Sequence, residues 1–86
     1  MYQLAFTKQS LKDLKDLDST IRMMIIAWIE KHLSSIENPR LLGKPLKGTF
    51  EGLWRYRVGQ YRLLTQIQDQ KLTILMVTIT HRKDSY

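Results

Sequence analysis

Six side chains in the C-terminal half have the types and spacing to handle a phosphate. Arg55, Arg57 and Arg62 lie within LWRYRVGQYRLL, and His81, Arg82 and Tyr86 within the closing HRKDSY. A guanidinium is planar, stays ionised and pairs with two oxygens at once, so arginine suits the holding of phosphate. Histidine moves a proton in either direction near neutrality, and a tyrosine phenol donates, accepts or stacks on a base. Together these groups point to a polyanion such as RNA. A lone histidine at a strand end is usually only a surface residue. His81 stands out because the last strand should return it towards the end of the hairpin that holds Arg57 and Arg62.

The spacing also predicts how the arginines are grouped. LWRYRV alternates, GQ fits a two-residue hairpin turn with glycine at its first central position, and YRLLTQIQ resumes as a strand. Pairing Val58 with Tyr61 sets Tyr56 opposite Leu63, Arg57 opposite Arg62, and Arg55 beside Leu64. One face is then Trp54, Tyr56, Val58, Tyr61 and Leu63, and the other is basic. Like charges directly opposite destabilise a sheet by an amount comparable to the ~0.2–1 kcal/mol that favourable cross-strand pairs supply. Arginine stems lying over apolar surface, or a carboxylate for each arginine, would account for the face without a ligand. Glu51 and Asp69 are the only carboxylates between residues 41 and 80, so phosphate recognition is the stronger reading.

Charge distribution supports it. The net charge is +6. Residues 1–40 carry six Lys/Arg against five Asp/Glu, and residues 41–86 carry eight against three. A clustered positive field concentrates anionic partners, whereas solubility alone needs no clustering. Lys44 and Lys47 sit in the loop before the hairpin and add phosphate contacts to this reading, although loop lysines are commonly just solvated.

Around these residues the chain reads as one domain, residues 1–86, with a single modest core. With no cysteine and two histidines, His32 and His81, neither a disulfide frame nor a zinc site is expected. No run approaches membrane-spanning length and the first residues lack a signal-peptide pattern, so a cytoplasmic protein is expected. The acids are scattered, unlike those of a two-metal nuclease. No metal and no small-molecule cofactor is predicted.

YQLAF reads as a first strand, and Thr7 as the cap of a helix with Leu11, Leu14 and Leu17 on one stripe. A second helix over DSTIRMMIIAWIEKHLSSIENP is capped by Asp18 or Ser19 and stops at Asn38-Pro39. Its Ile21, Met24, Ile25, Trp28 and Ile36 keep helical spacing, and His32 complements the helix end. RLLGKPLKGTFEG reads as a loop. KLTILMVTIT follows the hairpin as a last, largely buried strand, with Leu75, Val77 and Ile79 assigned to the arginine side. The expected architecture is α+β: a helical hairpin packed on a small, mostly antiparallel four-stranded sheet, in the order β-α-α-β-β-β.

That order, with the WRYRVGQYRLL hairpin, the KLTILMVTI strand and the ending HRKDSY, resembles the RelE/ParE superfamily of type II toxin-antitoxin toxins across essentially the whole chain. The terminal His-Arg-Asp-Tyr pattern brings it nearest the RelE branch. The resemblance implies cleavage of mRNA on the ribosome and neutralisation by a RelB-like antitoxin. By position it assigns Arg55 and Arg57 to the basic strand before the turn, Arg62 to the arginine after it, Arg82 to the arginine ending the last strand, and Tyr86 to the terminal tyrosine. His81 falls on a basic position beside Arg82. Some RelE toxins carry lysines where Arg55 and Arg57 stand, and arginine is a poor general base.

The implied reaction is metal-independent transesterification. The RNA 2′-hydroxyl attacks its own phosphodiester while cations stabilise the phosphorane. Phosphate stabilisation then falls to Arg57, Arg62 and Arg82, substrate positioning to Arg55, and proton transfer or stacking to His81 and Tyr86. Two other readings stay open: a ParE-like, non-catalytic inhibitor of a DNA topoisomerase, and a non-catalytic RNA- or ribosome-binding module.

Overall fold

The computed structural model describes residues 1–82. The chain runs β1 (Gln3–Phe6), α1 (Lys8–Asp16), α2 (Ser19–His32), β2 (Lys44–Pro45), β3 (Trp54–Val58), β4 (Tyr61–Gln68) and β5 (Thr73–His81). Local chemistry sets the helix starts. Thr7 caps α1 by accepting from Ser10 N at 3.1 Å, and Asp18 caps α2 by accepting from Thr20 N, also at 3.1 Å. Arg22 joins the two helices. Its Nη1 donates to the carbonyls of Lys15 and Leu17 at 3.2 and 3.1 Å, using oxygens that the end of α1 leaves without helical partners.

The second helix ends at His32, six residues before the predicted stop at Asn38-Pro39. Leu33 is fully buried, and Ser35 adopts a left-handed φ of 65°, which turns the chain before proline is reached. Ile36 therefore belongs to the turn, where its carbonyl accepts from Tyr2 N at 3.0 Å. The leucine stripe of α1 is also narrower than expected: Leu14 is buried and Leu11 is exposed.

The sheet has five strands in the order β1-β5-β4-β3-β2, one more than predicted. The added strand, Lys44–Pro45, lies within the predicted loop, where two residues are too few to show alternation. β1 runs parallel to β5, and the remaining pairs are antiparallel. Gly59 at φ 59° makes the β3–β4 turn at the first central position, as a type II′ turn requires.

Ile25, Ile29 and Leu33 from the α2 region and Leu14 from α1 meet Tyr56, Val58, Leu63, Ile74, Met76 and Ile79 in one core. Both helices therefore cover the same sheet face, the one carrying Tyr56 and Leu63. Burial raises the Tyr56 phenol to about 12, so it stays protonated and donates to Pro39 O at 2.6 Å.

Candidate nucleic-acid interface

The opposite face carries the arginines in the predicted register. Arg57 is paired with Arg62 and Arg55 with Leu64. β2 sets Lys44 against Arg55, while β5 sets Thr80 against Arg62 and Thr78 against Leu64. Paired residues share a face. Two rows therefore cross the sheet, Lys44-Arg55-Leu64-Thr78 and Arg57-Arg62-Thr80. Lys44, Arg55, Arg57 and Arg62 gather on a surface that neither helix covers.

Leu64 explains how two of these cations are held. It is 1% exposed yet stands outside the core cluster. Arg55 is its cross-strand partner and Arg62 precedes it by two residues on the same face, and the Nε atoms of both are buried. The arginine stems thus lie along the sheet around Leu64. Arg57 is exposed, and among the described residues neither Arg55 nor Arg57 forms an ion pair. The Thr80 hydroxyl, next to Arg62 in its row, is buried with no hydrogen-bond partner among the described residues. Such a group costs about 1–3 kcal/mol when nothing satisfies it.

The last strand departs from the predicted facing. Leu64 pairs with Thr78 but Thr65 pairs with Met76, so Val77 is an unpaired bulge residue. The bulge shifts the alternation. Leu75, before the bulge, pairs with Gln66 and keeps the expected arginine side, but beyond it Ile79 enters the core while Thr78 and Thr80 pair with Leu64 and Arg62, so the expected apolar stripe stops at the bulge. Residues at the start of α1 and one helical stretch further on brace the irregularity. Thr7 N donates to Met76 O at 3.0 Å, and the Thr7 hydroxyl donates to Val77 O at 2.6 Å. Asp13 Oδ2 accepts from the Thr78 hydroxyl at 2.6 Å and from Ile79 N at 2.9 Å. Burial works against the Asp13 charge, but these bonds, with one from Gln9, hold its carboxyl below the usual range.

The shifted register also decides where His81 faces. It pairs with Tyr61, and the two rings meet edge-to-face with centroids 4.9 Å apart. Tyr61 pairs with Val58 on the helix-covered face. The strand brings His81 to the expected end of the hairpin but turns its ring away from Arg57 and Arg62. Asp13, Asp16, Tyr61 and His81 line a cleft there of about 440 Å³.

Arg82 follows, with its backbone N–H donating to Gln60 O at 2.7 Å beside the hairpin turn. Lys47 is exposed and precedes the 3₁₀ turn Gly48–Phe50, outside the two rows. Tyr86 lies outside the described residues. Sequence reasoning missed Thr78, Thr80 and Asp13. The only available signal for the threonines was the bulge, and no residue pattern in KLTILMVTIT marks it.

Fold and face together define a small α+β protein that presents four cations on one side of its sheet. The chain belongs to the RelE/ParE family of type II toxin-antitoxin toxins: the family model described as the ParE toxin of the type II toxin-antitoxin system parDE matches residues 4–86. It is 33% identical to toxin RelG of Mycobacterium tuberculosis over 99% of this chain and 95% of that protein. It is 28% identical to the mRNA interferase toxin RelE of Escherichia coli, over 98% of this chain and 86% of that one. Among solved structures, a chain of the M. tuberculosis toxin-antitoxin complex RelBE2 superposes with a TM-score of 0.83 at 32% identity, covering 96% of this chain and 93% of that chain.

Proposed function

We propose that this toxin is an endoribonuclease that cuts mRNA on the ribosome by attack of the RNA 2′-hydroxyl on its own phosphodiester. The observation that carries the reading is the Arg57–Arg62 pair, extended by Arg55 and Lys44 on a face free of helices. Repulsion between paired arginines turns into attraction once a phosphate lies between them. Arg57 and Arg62 stabilise the phosphorane, with Arg82 at the strand end. Arg55, Lys44 and the more distant Lys47 position the backbone. The facing of His81 makes it a support for Tyr61, so proton transfer falls to Tyr86 or to groups of the ribosome. The name of the E. coli relative supports RNA cleavage.

The partner we propose is a RelB-like antitoxin, as in the RelBE2 complex, that covers the arginine face with acidic side chains. Expression of the toxin without this partner should stop growth and leave discrete cuts within codons of translated messages, mapped by primer extension. Growth arrest without cuts overturns the nuclease reading. It would favour the topoisomerase inhibitor suggested by the ParE description of the matching family.

A further inference from the structure

A second feature adjoins the arginine face at the β3 edge. β2 pairs only with Trp54 and Arg55, so Tyr56, Arg57 and Val58 have no strand beside them on that side. A cleft of about 250 Å³ opens there, walled by Trp28, Leu42 and Gly43 and rimmed by Lys44, Arg55 and Arg57. Trp28 comes from α2 and is partly exposed. Its ring is steadied by His32 and Tyr56, at centroid distances of 4.8 and 6.0 Å. Gly43 sits at φ 80°, and a Cβ there would lie 2.3 Å from Arg55 O, so only glycine lets the wall lie this close to β3.

The lining selects a ligand class. An inorganic anion would use the cations but has no need of an indole wall. An apolar side chain would use the wall but would gain nothing from Lys44, Arg55 and Arg57. A nucleotide uses both, because its base has an apolar face and polar edges and is joined to a phosphate. We propose that this cleft holds one unstacked nucleobase of the RNA whose backbone crosses the arginine face, with the base against Trp28 and its phosphate towards Arg57. The proposal rests on the RNA-binding reading above and adds a base subsite to it.

The test uses the full chain and a short 2′-O-methyl RNA oligonucleotide, which lacks the attacking hydroxyl, so binding is read without cleavage. Trp28→Leu stays apolar but removes the aromatic ring, and should weaken binding roughly 5- to 140-fold, the range that stacking one base on an aromatic ring supports. Trp28→Phe should retain most of the affinity. The same oligonucleotide made abasic at successive positions should show one position whose loss matches that of Trp28→Leu and adds nothing to it. Protein labelled with 5-fluorotryptophan gives a readout independent of substitution. The Trp28 fluorine signal, assigned with Trp28→Phe, should shift with intact RNA and stay in place with inorganic phosphate.

Binding that is weakened by Arg62→Ala but indifferent to Trp28→Leu, with no fluorine shift, overturns the base subsite and leaves the arginine reading intact. Absence of arginine-dependent binding overturns both.

Discussion

Arg57 and Arg62 face each other without a helix above them, and that arrangement sets the predictions at the scale of single side chains. Removing one preorganised donor to developing negative charge typically costs about 10²–10³-fold in rate. Arg62→Ala and Arg57→Ala should each reduce ribosome-dependent cleavage by that amount, read by primer extension. His81 provides the contrast. A general acid or base contributes about 10²–10⁴-fold, but the His81 ring rests on Tyr61 across the sheet from the arginines. His81→Gln should therefore leave the cleavage rate near that of the wild type, and a loss of a hundredfold or more would return His81 to the chemistry.

Among the elements, the end of β5 depends on α1. Thr7 caps α1 and also holds the bulge, while Asp13 satisfies both the Thr78 hydroxyl and Ile79 N. Loss of a carboxylate that serves two part-buried donors costs about 1–3 kcal/mol. Asp13→Ala should lower stability by that amount in urea unfolding, and should lower cleavage as well, since Thr80 lies on the strand it braces and Arg82 directly follows that strand. Gly43→Ala tests the other edge. Its Cβ would overlap Arg55 O and a left-handed φ is strained for alanine, so a loss of at least ~1–3 kcal/mol is expected by thermal unfolding.

Across the molecule, charge governs both association and acid stability. Single-stranded nucleic acid binding weakens with salt at a slope near −0.7 per neutralised phosphate. Lys44, Arg55, Arg57 and Arg62 together predict a log–log slope of about −3, shallower by about 0.7 for each arginine replaced. Asp69 in the β4–β5 turn receives a two-pronged bond from Arg40, at 2.9 and 3.0 Å, and one from Tyr2 at 2.6 Å. The Arg40 bonds, then the Tyr2 bond, lower its carboxyl to about 2 from 3.8. Its folded-state value lies below the unfolded one, so the stabilisation is complete above about pH 4 and fades as pH falls towards 2. Asp69→Asn should flatten the unfolding free energy across that window, measured by denaturant titration at each pH.

The sequence by itself determined whatever depends on neighbours along the chain. Thr7 and Asp18 as caps, the Gly59 turn, and the period-two alternation that pairs Arg57 with Arg62 all follow from local sterics and the pleat. The tertiary structure decided what depends on contacts distant in sequence. The stop of α2 at His32 follows from burying Leu33, and β2 exists only because β3 lies beside Lys44. The bulge at Val77 is held by Thr7 and Asp13, some seventy and sixty-five residues away. One unpaired residue reverses every later side chain in a strand, so the side of the sheet that His81 and Ile79 occupy was fixed by α1 and not by the alternation of β5.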